Sequence, residues 1–155
     1  MDKALKVSAI KNGTVIDHIP ANSLFNVISI LRLENCQEMI TFGANLDSDK
    51  LDKKAIIKVA NRYFKDYEVD KISLIAPNAK LNTIKDYDVV EKREVEIPDS
   101  IKGIAKCFNP KCITNHEHII TRFNVVNKSP IELKCMYCEK ITGSNQIVIK
   151  KGDDE

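Results

Sequence analysis

The chain has 155 residues, 43% hydrophobic and 30% charged, the balance of a folded globular protein and not of a disordered one. A net charge of +2 and an isoelectric point near 8.2 fall short of the value of about 9 that marks many nucleic-acid binders. With 6% aromatics and no Trp, no base-stacking platform is advertised either.

The elements follow in chain order. Leu5, Val7 and Ala9 alternate with polar residues, a period of two that predicts a strand. Asn12-Gly13 reads as a tight turn, and Thr14 to His18 as a second extended run. Leu24, Val27, Ile28 and Leu31 follow i, i+3, i+4, i+7, one face of a helix, with Asn22 or Ser23 as its cap. Ile40, Phe42, Ala44 and Leu46 alternate as a strand. Ile56, Val59, Ala60 and Tyr63 give a second helical spacing with Asp52 as a cap. Lys71 to Ala76 reads as a buried strand, and Tyr87 to Val95 as another after the polar turn at Lys85-Asp86. The series predicts an α+β fold, ferredoxin-like in broad shape, with two helices on one antiparallel sheet. One face of that sheet is left for a partner.

Ile97-Pro98-Asp99-Ser100 marks a hinge, because Pro98 removes a backbone donor and biases Ile97 to extended geometry. Domains over 1–97 and 98–155 are therefore expected. The first carries 15 basic and 15 acidic residues, the second 9 and 7. No apolar run reaches the roughly 20 residues that span a bilayer, and MDKALKVSAIKNG has no apolar core or small-residue cleavage site. Neither a secretory leader nor an anchor is expected, and the expected compartment is the cytoplasm.

The second domain holds four of the five cysteines. Cys107 and Cys112 form C-x4-C, and Cys135 and Cys138 form C-x2-C. In a reducing compartment a disulfide framework is disfavoured, and two close cysteine pairs read as a zinc site. Four thiolates complete a tetrahedron, so such a site is structural and has no position for a substrate water. A redox dithiol at Cys135–Cys138 is the alternative, but nothing around it has the βαβ setting of such motifs. His116 and His118 lie between the pairs and could replace a ligand; with four cysteines present they read as loop histidines. Cys36 reads as a small core residue or a loose thiol. About 58 residues is a size at which a metal is often needed for folding. Ile119 to Val125 and Ile147 to Ile149 supply strands, which gives a zinc-ribbon pattern of two cysteine knuckles on a small antiparallel sheet. Lys106, Lys111, Lys134 and Lys140 flank the cysteines and favour thiolates; the alternative reading of these lysines is a nucleic-acid surface.

No GxSxG, P-loop, GxGxxG or HExxH motif is present. Asp17-His18 is the only neighbouring Asp–His pair, and on a regular strand the two point to opposite faces. Read from its residues alone, the chain is a zinc-stabilised binding or assembly protein, not an enzyme. A zinc-ribbon nucleic-acid binder is the competing class.

The run Ala9-Ile10-Lys11-Asn12-Gly13-Thr14-Val15-Ile16-Asp17-His18-Ile19-Pro20-Ala21 resembles the start of the regulatory chain of aspartate carbamoyltransferase. Ile57-Lys58, Ala76-Pro77-Asn78-Ala79, Asn82-Thr83-Ile84, Tyr87-Asp88-Val89-Val90 and Lys134-Cys135-Met136-Tyr137-Cys138-Glu139-Lys140 follow in the same order. The resemblance covers nearly the whole chain. It implies a non-catalytic subunit in pyrimidine biosynthesis, controlled by nucleoside triphosphates (CTP, UTP and ATP). The effector-site positions it implies are Ala9, Ile10, Val15, Asp17, His18, Lys58, Asn82, Tyr87, Val89 and Lys92. It further implies structural zinc on Cys107, Cys112, Cys135 and Cys138. The implied partners are the catalytic chain and a second regulatory chain, with no nucleic acid or membrane. One departure stands in the first cysteine loop, Phe108-Asn109-Pro110-Lys111, where Lys111 replaces an asparagine common in the family.

Overall fold

In the computed structural model, which describes residues 9–48 and 52–150, the chain divides into two compact units between Glu96 and Ile97. The first runs β1 (Gly13–Pro20), α1 (Leu24–Ile30), β2 (Ile40–Asp47), β3 (Lys53–Ala60), α2 (Asp66–Ile75), β4 (Lys80–Lys85) and β5 (Asp88–Glu94). The sheet order is β2-β3-β1-β4-β5, with every pairing antiparallel. This is a ferredoxin-like βαββαβ layer, extended by the β4–β5 hairpin. Ile16, Ile57, Val59 and Leu81 point to one sheet face and are buried with Leu24, Val27, Val69 and Ile72 of the helices. That apolar layer is the core of the unit.

Two predicted elements change type. The predicted helix around Ile56–Tyr63 is strand β3, and Asp52 caps nothing. Ala55, Ile57 and Val59 are buried while Lys54, Ile56 and Lys58 are less so, a period of two. The segment carries both spacings. Its β-branched residues fit a pleated surface, and ladders on both sides, to β1 and β2, select the strand. Conversely, Lys71–Ile75 is the second half of helix α2, and Ala76 is its C-cap. Val69, Ile72 and Ala76 are its buried stripe, at i, i+3, i+7. Asp66 and Glu68 lie in its first turn, where carboxylates suit the helix dipole, and Glu68 accepts the Lys65 N–H at 3.1 Å. Pro77 ends it.

Asn12-Gly13 is not a hairpin turn. Gly13 opens β1 with φ +139°, and a Cβ there would sit 2.1 Å from the Val59 carbonyl oxygen. Only glycine permits that approach between β1 and β3. Leu5 and Val7 lie outside the described residues, and Ala9 belongs to no strand. Strand β4 was not anticipated. Asp86 and Tyr87, both at positive φ, turn it into β5.

The second unit contains β6 (Ser100–Lys102), β7 (Ala105–Lys106), β8 (Arg122–Lys128), β9 (Ile131–Cys135), β10 (Ile141–Gly143) and β11 (Val148–Ile149). They form a four-stranded sheet β10-β9-β8-β6 and a two-stranded pair β11-β7. Ile101, Phe123, Ile131 and Leu133 are buried apolar residues on the larger sheet, a thin core for a unit of this length. Among the described residues, no helix is long and apolar enough to cross a membrane.

Candidate functional site

The metal centre is built at the ends of short elements. Cys107 follows β7, Cys112 precedes a single 3-10 turn (Ile113–Asn115), Cys135 ends β9, and Cys138 lies in the turn before β10. All four sulfurs lie within 4.8 Å of one another. Cys107 and Cys138 are 3.7 Å apart, as are Cys112 and Cys135. Thiolates at about 2.3 Å from zinc occupy tetrahedron corners about 3.8 Å apart, so the donor set fits a tetrahedral soft cation such as zinc.

The sulfurs differ in electrostatics. Burial pushes the Cys107 and Cys135 thiols up. Burial also acts upward on Cys138, but hydrogen bonding with the Asn109 side chain, the Lys140 backbone, Cys107 and Cys135 together outweighs it and brings that thiol down to about 7. The Thr114 hydroxyl lies 3.2 Å from the Cys112 sulfur. His116 is exposed and its Nε2 sits 2.8 Å from the Pro110 carbonyl; His118 is exposed. Neither joins the cluster. Cys36 is half-buried in the other unit.

In the first unit, the sheet face away from the helices gathers most of the predicted effector positions. Strand register aligns Lys58 of β3, Val15 of β1, Asn82 of β4 and Lys92 of β5 in one transverse row, and directly paired residues share a face. Val89 pairs with Ile84 in the adjoining row. Ile10, Val15 and Ile84 form a small buried cluster on this face, with Ile56 packed against it. Tyr87 is 66% exposed at the hairpin turn. That turn is fastened to the segment before β1, since the Tyr87 N–H donates to the Lys11 carbonyl at 2.9 Å and the Asp86 N–H to Asn12 Oδ1 at 3.1 Å. Ala9 is exposed at the start of that segment.

Asp17 and His18 sit at a bulge in β1 between Ile16 and Ile19, with His18 at φ 59°. The bulge supplies the bend that a regular strand lacks. Even so, His18 Nδ1 stays 3.7 Å from Asp17 Oδ1, too far for a hydrogen bond. Instead the Asp17 carboxylate accepts the His18 backbone N–H at 2.6 Å and pairs with Lys54 Nζ at 3.0 Å. Burial lowers the Lys58 ammonium pKa, partly opposed by Asp17.

Lys54 is a polar residue of this face that the sequence reading missed. Its signal was the even spacing Lys54, Ile56, Lys58, which becomes legible only once the segment is a strand.

Residues 5–96 match the family model of the aspartate carbamoyltransferase regulatory chain, allosteric domain, and residues 99–148 match that of the metal binding domain of the same chain. The aspartate carbamoyltransferase regulatory chain of Bacteroides fragilis is 55% identical over 147 residues, 95% of this chain and 96% of that one. Its counterpart in Phocaeicola vulgatus is 55% identical over 138 residues, 89% of each chain. The chain from Pyrococcus abyssi is 49% identical over 146 residues, 93% of this chain and 96% of that one. With an allosteric domain matched to the first unit and a metal-binding domain to the second, the chain belongs to the family of aspartate carbamoyltransferase regulatory chains, the non-catalytic subunits of that enzyme.

Proposed function

We propose that the first domain, 1–97, binds nucleoside triphosphates of the CTP, UTP and ATP class on the sheet face away from its helices and controls a pyrimidine-biosynthetic enzyme in the cytoplasm. The observation that carries this reading is the transverse row of Lys58, Val15, Asn82 and Lys92 beside an apolar cluster. Lys92, Lys58 and His18 offer positive charge to phosphates. Asp17 accepts from ribose hydroxyls, and Asn82 has both a donor and an acceptor for polar groups of the ligand. Ile10, Val15 and Val89 give apolar walls, with Ala9 and the Tyr87 backbone at the base edge. Regulation is then a coupling free energy: a nucleotide that binds one quaternary state tenfold better shifts the equilibrium by about 1.4 kcal/mol per site.

The second domain, 98–155, holds one structural zinc ion on Cys107, Cys112, Cys135 and Cys138 and docks on the catalytic chain. Phe108, Met136 and Tyr137 are exposed on the two cysteine loops, and exposed apolar side chains clustered on ordered loops suit a protein contact. Pairing of two regulatory chains is supported by β2, an edge strand, beside which Met39, Phe25 and Phe42 are exposed. An uncovered edge with apolar neighbours is a template for pairing with another chain.

Co-expression with the aspartate carbamoyltransferase catalytic chain tests the reading. A complex larger than the catalytic oligomer, with carbamoyl-transfer activity that responds to CTP or ATP, is expected. A complex whose activity ignores every nucleoside triphosphate, from chains that bind none by calorimetry, would falsify the effector assignment.

A further inference from the structure

The two cysteine loops are held by different means. The short loop Cys135–Cys138 is fixed by main chain: the Tyr137 N–H donates to Cys135 Sγ at 3.4 Å, the Glu139 N–H to the Cys135 carbonyl at 2.9 Å, and the Cys135 N–H to the Lys140 carbonyl at 3.0 Å. The loop Cys107–Cys112 is two residues longer and contains Pro110, which has no N–H to give. It is held largely by side chains. Asn109 Oδ1 accepts the Lys111 N–H at 3.0 Å, and the Asn109 carbonyl accepts the Cys112 N–H at 3.0 Å. Hydrogen bonding from the Asn109 backbone and side chain also acts downward on the Cys107 and Cys138 thiols. Asn109 therefore ties the middle of the loop to its end.

Asn109 is in turn gripped from outside the loop. Asn115 Nδ2 donates to the Asn109 carbonyl at 2.7 Å and to the Cys107 carbonyl at 3.0 Å. Both donors of that amide nitrogen are spent on the loop. Asn115 is itself anchored on its 3-10 turn by its N–H to the Cys112 carbonyl at 2.9 Å. One side chain thus bridges the start and the middle of the loop and is fixed to its end.

We propose that Asn115 is the positioning residue of the metal centre: its amide closes the Cys107–Cys112 loop in the shape that presents both sulfurs, and metal leaves by opening of this loop when that amide is lost. The inference rests on reading the four cysteines as a zinc site. Holding the loop closed costs conformational entropy that the amide contacts offset before metal arrives.

The test uses the full chain loaded with zinc and an excess of a chromogenic chelator, comparing wild type with Asn115→Asp and Asn115→Ala. Asn115→Asp keeps the shape but loses the donors. Release is expected to be about 5- to 150-fold faster, the loss of two neutral hydrogen bonds. The cobalt(II)-substituted chain should keep its tetrathiolate absorption bands, since all four sulfurs still bind. Ile131→Val serves as the control. Ile131 is buried at the start of β9, so its loss weakens the same domain without touching the first loop, and its release rate should stay within about twofold of wild type. A wild-type release rate in either folded Asn115 variant overturns the proposal, as does equal acceleration by Ile131→Val. If neither Asn115 variant takes up cobalt while Ile131→Val does, the proposal is supported. A wild-type chain that gives no tetrathiolate spectrum would instead sink the zinc reading on which it rests.

Discussion

The two units are stabilised by different physics. The first covers one sheet face with two helices and buries Ile16, Ile19, Leu24, Val27, Ile57, Val59 and Ile72 completely; its free energy is spread over many contacts. The second buries Phe123 and Leu133 but few other large side chains that completely, and four of its buried or half-buried residues are the clustered cysteines. Its stability is concentrated at one point. A distributed core tolerates a lost methyl group and degrades in steps. A metal-centred fold is close to all-or-none in its ligand set.

The harshest way to break this contrast is to remove the metal. Cys138→Ser, or chelation after thiol modification, is expected to unfold residues beyond Pro98, with a loss on the order of 10 kcal/mol of metal-linked folding energy. The first unit should persist. Circular dichroism with an amide spectrum of residues 9–96 checks this; melting of both halves together would show that the units do not fold independently.

The reciprocal experiment is Ile57→Ala. Ile57 is fully buried on β3, so the change should cost about 2–5 kcal/mol and lower the melting transition of the first unit. Zinc content, measured per chain, should stay at the wild-type value.

A smaller effect is expected from Lys92→Ala. Lys92 is exposed on β5, so folding and zinc content should be untouched. Loss of a charge-assisted phosphate contact worth roughly 1.5–3 kcal/mol should weaken triphosphate binding about 10- to 150-fold. The nucleoside should bind wild type and variant alike. Equal losses for both ligands in calorimetry would remove Lys92 from the phosphate end.

The subtlest prediction concerns pH. Burial lowers the Lys58 ammonium pKa in the folded chain, so in the free protein Lys58 loses its proton below the ordinary lysine range. A bound polyphosphate favours the charged form and raises that pKa again. Binding should then take up protons as pH rises through the lowered value, and affinity should fall across that window. Below it the ammonium is charged with or without ligand, and the effect vanishes. For Lys58→Met the slope should disappear; an unchanged slope would assign the titration elsewhere. For folding the sign is opposite to that of a salt-bridged lysine. Depression of Lys58 costs stability at pH below the lowered value, and that cost is relieved as pH rises through it.

Much of this molecule was legible from residues alone where chemistry is carried by identity and spacing. The pairs Cys107/Cys112 and Cys135/Cys138 name a tetrahedral ligand set without any fold, because thiolates that close in sequence have few other uses in a reducing compartment. The helix at Leu24–Ile30 and the strand from Ile40 were legible because each carries a single periodicity. The segments around Ile56 and Lys71 were not, because Ile56–Tyr63 satisfies both a helical and a strand spacing and Lys71–Ala76 is too short and apolar to show either. Only neighbours settle such cases. Ladders from β1 and β2 hold residues 53–60 extended, and a cap at Glu68 with Pro77 beyond the end makes 66–75 helical. The alignment of Lys58, Val15, Asn82 and Lys92 was likewise beyond sequence spacing, since register between four strands is a property of the sheet. Asn115 is the clearest instance. In the sequence it is one polar loop residue among several, and its role exists only because the fold brings two carbonyls of another loop to its amide.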